Sequence, residues 1–231
     1  LSIVDDFAHP QGAAIAALRS PWLETLQKHR AIAVIRTDSL DLSVQLAKVA
    51  IEAGMGLVEI TWNSDRPGDT IAHLRYQFPH CAIGTGTVLR QQDLLQAIAS
   101  GAQFCFTPHS EPELITSAVA HGIPIIPGAF SPTEIVQAWQ KGATAVKVFP
   151  IKTLGGVDYI QALQGPLGPI PLIPTGGVTL ENAQAFLAAG AIAVGLSGQL
   201  FPPHLVATKA WTEIGDRIRT LLKQIQTAKA Y

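Results

Sequence analysis

Lys147 is the residue whose setting most demands a chemical explanation. It lies in Ala145-Val146-Lys147-Val148-Phe149, where the two-residue period of a strand sets Ala145, Lys147 and Phe149 on one face and the two valines on the other. The valines suit an apolar outer layer, which turns the lysine inward. An ammonium is costly to desolvate, so an inward lysine is pushed toward its neutral amine, the form that attacks a carbonyl and builds a Schiff base. Leu57-Val58-Glu59-Ile60-Thr61 repeats the pattern with Glu59 inward. A carboxylate beside such an amine can move the protons that imine chemistry needs. The same two side chains could equally form a structural ion pair, and only the groups that would bind a substrate can decide between these readings.

Candidates for those groups follow other strand-like runs. Arg36 ends Ala31–Arg36 on the face of Ile32 and Val34, where a guanidinium could hold a carboxylate in a two-pronged grip or simply be solvated. Thr87 follows Gly84-Thr85-Gly86, and glycines there would let a ligand approach the backbone. Thr175-Gly176-Gly177-Val178 and Gly195-Leu196-Ser197-Gly198 offer backbone amides that could hold a phosphate, or mark tight turns. No His-x-His, His-Glu-x-x-His or cysteine pair stands at ligand spacing, so no metal and no cofactor are expected.

The elements that must position these residues alternate along the chain. Strand-like runs are expected at Ala31–Arg36, Leu57–Thr61, Ala82–Gly86, Phe104–Thr107, Ile125–Pro127, Ala145–Phe149, Leu172–Thr175 and Ala193–Gly195. Between the first two, Leu42, Leu46, Val49, Ala50 and Ala53 make one helical stripe closed by Gly54. Gly101, Gly122, Gly142 and Gly190 close later helices, and Ser131 and Thr179 stand where N-caps belong. Alternation of this kind implies parallel pairing, and eight units without a long linker favour an α/β fold of the (β/α)8 TIM-barrel class. In such a barrel the strand C-termini carry the chemistry, which is where the candidates sit. The expected organisation is one barrel domain over 29–231, preceded by a helical extension over 1–28. Ile15, Leu18, Trp22 and Leu26 give the extension an apolar face that would plug the barrel's N-terminal end or serve an oligomer contact. Leu205 to about Gln226, with Trp211, Ile214, Ile218, Leu221 and Leu222, would form the last helix.

Bulk properties narrow the partners. A net charge of -1 with 14% charged residues leaves no basic stripe for nucleic acid, so a small molecule is the expected partner. Cys81 and Cys105 fall in apolar, strand-like stretches and suit a reducing cytoplasm better than a disulfide framework. No apolar run approaches the ~20 residues of a membrane span, and Asp5, Asp6 and His9 are unlike a signal peptide, so no membrane association is expected.

Read together, Val58-Glu59-Ile60-Thr61, Ile83-Gly84-Thr85-Gly86-Thr87-Val88-Leu89, Gly101-Ala102-Gln103-Phe104, Thr107-Pro108, Ile126-Pro127-Gly128, Val146-Lys147-Val148-Phe149-Pro150 and Pro174-Thr175-Gly176-Gly177-Val178 form an ordered string. From about Ala31 to Pro202 it resembles the aldolases of 2-keto-3-deoxy-6-phosphogluconate (KDPG) and 4-hydroxy-2-oxoglutarate (KHG), enzymes of the class I, Schiff-base type. The resemblance implies Lys147 as the Schiff-base lysine and Glu59 as the proton shuttle, with Arg36 and Thr87 near a pyruvyl carboxylate. It also implies that Pro108 and Phe149 wall the pocket, and that Gly176, Gly177 and Ser197 hold a phosphate, with Thr175 beside them. The implied partners are a phosphorylated 2-keto acid and pyruvate, and the implied assembly is a homotrimer.

Departures from the family pattern bear on the substrate. Asn63 stands four residues after Glu59, where some KDPG aldolases carry arginine, and Thr61-Trp62-Asn63-Ser64 is similar to aldolases of the galactonate epimer. Pro174-Thr175-Gly176-Gly177 is instead similar to the gluconate enzymes. Leu196 precedes Ser197 where a small residue is common, which bears on how firmly a phosphate is held. Rival functions are a phosphate-binding barrel isomerase or epimerase, and, more remotely, a barrel that binds a metabolite without turning it over.

Overall fold

Strand and helix alternate along the chain, as the apolar periods require, in a computed structural model that describes residues 10–226. The order begins α1 (Pro10–His29), β1 (Ala31–Ile35), α2 (Leu40–Glu52), β2 (Leu57–Thr61), α3 (Pro67–Gln77), β3 (Ala82–Gly86) and α4 (Gln91–Ala99). It continues with β4 (Cys105–Phe106), α5 (Pro112–Ala120), β5 (Ile125–Ile126), β6 (Gly128–Ala129), α6 (Pro132–Gln140) and β7 (Val146–Val148). The chain then runs through α7 (Val157–Leu167), β8 (Leu172–Pro174), α8 (Ala183–Ala188), β9 (Val194–Leu196), α9 (Pro203–Ala207) and α10 (Trp211–Gln226). Residues 1–9 of the expected N-terminal extension lie outside the described residues.

All pairings are parallel and curl the sheet into a TIM-barrel-like fold. One ladder runs β5-β4-β3-β2-β1-β9 and another β6-β7-β8. A bridge between Thr175 and Gly195 and a bond from the Ile192 amide to the Leu172 carbonyl (3.0 Å) connect the two on the β8 side. On the other side they meet at Pro127. The strand expected over Ile125–Pro127 is divided there: Ile125 and Ile126 pair with β4, while Gly128 and Ala129 pair with β7. Ile126 accepts from the Thr107 amide on the β4 side (3.2 Å), whereas Pro127 faces β7, where it has no amide hydrogen to donate and its carbonyl accepts from the Lys147 amide at 2.9 Å.

The two faces of the sheet feed separate apolar clusters. Ala33, Ile35, Val58, Ile60, Ile83, Val146, Val148 and Leu196 pack outward under the helices. Ile32, Val34, Leu57, Phe104, Phe106, Ile126, Ala145, Ile173 and Ala193 fill the interior. Trp22 and Leu26 of α1 join this interior cluster, with the Trp22 ring 5.1 Å from that of Phe104, so α1 stops the N-terminal end of the barrel. Arg19 anchors the same helix. Its guanidinium donates to the carbonyls of Ala143 (2.9 Å) and Trp139 (2.7 Å) and stacks 3.4 Å over the Trp139 ring, and burial pulls its pKa down to about 10.

Local signals read from sequence are met at most ends. Ser131 caps α6 in a full capping box with Glu134, whose carboxylate accepts from the Phe130 and Ser131 amides (2.7 Å each). Thr179 behaves differently from expectation. It caps a turn, exchanging hydrogen bonds with Asn182 (2.7 and 3.2 Å), and α8 starts only after Asn182. The single last helix expected from Leu205 is two, because Lys209 takes a positive φ of 54° between α9 and α10.

Candidate active site

Lys147 on β7 and Glu59 on β2 are 6% and 2% exposed, and both line a cavity of about 710 Å³ at the C-terminal ends of the strands. Strand alternation aims both of them there, as their neighbours Val58, Ile60, Val146 and Val148 pack in the outer layer. Burial pushes the Lys147 amine below the usual lysine range; the Glu59 charge opposes this and Arg36 reinforces it. Burial likewise raises the Glu59 carboxyl, against the pull of Lys147 and then Arg36. Among the described residues no direct ion pair joins the two. A structural pair would be in contact; here burial favours a neutral amine and a protonated carboxyl, the partners needed for addition to a carbonyl and loss of water. The Phe149 ring lies 4.6 Å from Lys147 Nζ and walls the amine.

Arg36, just beyond β1, donates to Thr87 Oγ1 at 3.2 Å, and Thr87 holds a left-handed φ of 57° after β3. The cavity thus gathers a guanidinium and a hydroxyl already in register, a suitable seat for a small carboxylate. Pro108, after β4, lines the same cavity.

The turn after β8 is prepared for a second anion. Gly176 and Gly177 have positive φ angles of 78° and 121°, and their carbonyls are occupied by the Lys152 amide (3.0 Å) and Asn182 Nδ2 (3.2 Å). Among the described residues no protein acceptor takes the amides of Gly176, Gly177 and Val178. Successive free amides in such a turn form an anion-binding concavity. Thr175 Oγ1 is buried with no hydrogen-bond partner among the described residues, and its side chain lies over Gly195. Ser197, after β9, is exposed on the rim.

Every candidate residue read from the sequence therefore lines one cavity: Lys147, Glu59, Arg36, Thr87, Pro108 and Phe149 on one side, Thr175, Gly176, Gly177 and Ser197 on the other. The sequence reading missed Lys152, Asn182 and Gln199. Lys152 was within reach of the rule that strand C-termini carry chemistry, since its loop follows β7 directly. Two departures are placed as well. Asn63 is exposed and does not line the cavity. Leu196 is 1% exposed and packs in the outer layer, so its bulk points away from the anion site.

Apart from Lys147 and Glu59, the cavity lining carries two basic side chains, Arg36 and Lys152, and no acidic one, although the chain as a whole has a net charge of -1. That bias fits a small molecule with more than one negative charge. Among the described residues no three His, Cys, Asp or Glu side chains gather as a metal centre would, and no helix is long and apolar enough to cross a membrane.

The chain is similar to known proteins over most of its length. The family model for KDPG and KHG aldolases matches residues 23–217. The 2-dehydro-3-deoxy-phosphogluconate aldolase of Haemophilus influenzae is 35% identical over 205 residues, 88% of this chain and 96% of that one. The native KDPGal structure superposes with a TM-score of 0.79 at 30% identity, covering 86% of this chain and 95% of that one. The KDPG aldolase of Legionella pneumophila, with pyruvate captured as a covalent carbinolamine, superposes at 0.78 with 25% identity, covering 92% and 98%. With a buried lysine and a buried carboxyl lining one cavity and this match over most of its length, the chain belongs to the KDPG and KHG aldolase family, a family of carbon–carbon lyases.

Proposed function

We propose that this protein is a class I aldolase that cleaves 2-keto-3-deoxy-6-phosphogluconate to pyruvate and glyceraldehyde 3-phosphate, through a Schiff base on Lys147. The observation that carries the reading is the buried Lys147 amine, aimed into a cavity lined by anion-binding groups, with no carboxylate among the described residues in direct contact. The neutral amine adds to the C2 carbonyl. Glu59 donates the proton that lets water leave the carbinolamine, and its carboxylate then takes the C4 hydroxyl proton, directly or through a water. The C3–C4 electron pair flows into the protonated imine, which releases the aldehyde and leaves an enamine. Protonation at C3 and hydrolysis return pyruvate and the free lysine.

Arg36 and Thr87 hold the keto-acid carboxylate in this scheme, Pro108 and Phe149 flank the pyruvyl carbons, and Thr175, Gly176, Gly177 and Ser197 receive the phosphate. Cleavage of 4-hydroxy-2-oxoglutarate to pyruvate and glyoxylate would use the same lysine and carboxylate. The galactonate epimer is the second reading, supported by the match to the KDPGal structure. The gluconate reading is favoured by Thr175, which lines the cavity where Asn63 does not, and by the Haemophilus influenzae relative. The proposed assembly is a homotrimer, to be measured as a sedimentation mass. The proposed compartment is the cytoplasm, in keeping with two free, buried cysteines.

Borohydride added with pyruvate is expected to leave one covalent mass adduct, on Lys147. Unchanged mass under conditions that label another class I aldolase would defeat the Schiff-base mechanism. Pyruvate release assayed in parallel from the gluconate, galactonate and hydroxyglutarate substrates ranks the readings. Solvent-proton exchange into a sugar phosphate without pyruvate release would point to an isomerase or epimerase, and ligand binding with no turnover to a metabolite-binding barrel.

A further inference from the structure

Lys152 is the cation left over once a keto acid's carboxylate is assigned to Arg36 and its carbonyl to Lys147. It sits in the loop after β7, and its backbone is tied to the anion turn by the bond from its amide to the Gly176 carbonyl (3.0 Å). Its Cβ closes the space over Gly177, where a side chain could not be accommodated. Asn182 braces the opposite side of the turn through the Gly177 carbonyl (3.2 Å). The Lys152 side chain is exposed at the rim of the cavity, and among the described residues no ion pair takes its ammonium.

The division of labour follows from the chemistry of the two kinds of donor. Turn amides fix the direction of hydrogen bonds but carry only partial charge. An ammonium on a flexible stem is a full point charge that adapts to a tetrahedral oxyanion. A phosphate monoester carries close to two negative charges near neutral pH, and a free hydroxyl carries none.

We propose that Lys152 is the specificity-determining residue at the far end of the cavity, selecting 2-keto-3-deoxy acids that end in a phosphate monoester over the same acids ending in a hydroxyl. The inference rests on the aldolase reading of Lys147 and deepens it.

The test compares kcat/KM for 2-keto-3-deoxy-6-phosphogluconate and for unphosphorylated 2-keto-3-deoxygluconate in the wild type and in Lys152→Met, Lys152→Glu and Lys152→Arg. The ratio of the two values is expected to fall about tenfold or more in Lys152→Met, as for loss of one charge-assisted hydrogen bond, and further in Lys152→Glu. The change should lie in KM for the phosphorylated acid, with competitive inhibition by inorganic phosphate weakening in parallel and Lys152→Arg recovering most of the ratio. Equal losses on both acids, or an unchanged ratio with phosphate inhibition intact, overturn the proposal. Borohydride trapping of pyruvate in each variant separates the two claims. A wild type that traps pyruvate but whose ratio ignores Lys152 refutes the role of Lys152 alone, whereas a wild type that traps nothing refutes the aldolase reading.

Discussion

The carboxylate of Glu59 lies directly over the backbone of Gly86 on the neighbouring strand, filling the volume that a side chain at position 86 would need. Glu59 and Gly86 belong to β2 and β3, which pair in register from Leu57–Ala82 to Thr61–Gly86. The proposed proton shuttle, Glu59, is thus seated by an absent side chain two residues along the partner strand.

Gly86→Ala should therefore fold and lose activity. A methyl group at 86 would overlap the Glu59 side chain from its Cγ to its carboxylate, so that side chain must turn aside and the cost falls on the position of the carboxyl. Pyruvate release is expected to drop about a hundredfold, the scale of one well-placed proton transfer, while the circular-dichroism melt stays close to wild type. Retained turnover would mean that Glu59 does its work from another rotamer.

The neighbours of Lys147 predict opposite shifts of its titration. Glu59 holds the amine's pKa up and Arg36 holds it down. Glu59→Gln should move the pH at which Lys147 becomes reactive toward an amine-directed reagent to lower values, and Arg36→Gln should move it to higher ones. Mass spectrometry of the labelled lysine across a pH series reads both without relying on catalysis.

Leu196→Ala should cost stability and leave phosphate recognition largely alone. Its side chain is buried in the outer layer, and removing a buried leucine costs about 2–5 kcal/mol. Urea unfolding checks the first part; KM for the phosphorylated substrate checks the second. A raised KM with unchanged stability would place Leu196 in the anion site after all.

Leu26→Ala tests the N-terminal stopper. The side chain is 1% exposed within the interior cluster, so its loss is expected to destabilise the barrel by about 2–5 kcal/mol. Because this end lies opposite the cavity, kcat at a temperature well below the melt should change little. A large loss of kcat without loss of stability would connect α1 to the chemistry.

Much of this was legible in the residues. Lys147 and Glu59 each lie in a strand whose alternation has only two faces, and valine or isoleucine neighbours claim the outer one, so one residue's orientation follows from the next. Ser131 with Glu134, and the glycines that end helices, are likewise decided within a few residues. What escaped was set by partners distant in sequence. Pro127 stands where the two ladders change over: Ile126 before it accepts from Thr107 on the β4 side, while Pro127 faces β7, to which it can offer its carbonyl and no amide. The break at Lys209, a left-handed φ of 54°, and the late start of α8, behind the exchange between Thr179 and Asn182, are instead local turns that the apolar pattern does not reveal.

The sequence by itself determined which side chains face inward and at which ends of the strands they lie, because strand alternation and helix stripes are short-range properties of the backbone. Only the tertiary structure decided which of those side chains share a cavity and on what terms. It set Glu59 against Gly86, kept it out of direct contact with Lys147, turned Leu196 outward and brought Lys152 beside the turn at Gly176 and Gly177. These relations depend on the pairing order and register of strands far apart in the chain, and on burial, which is a property of the whole barrel.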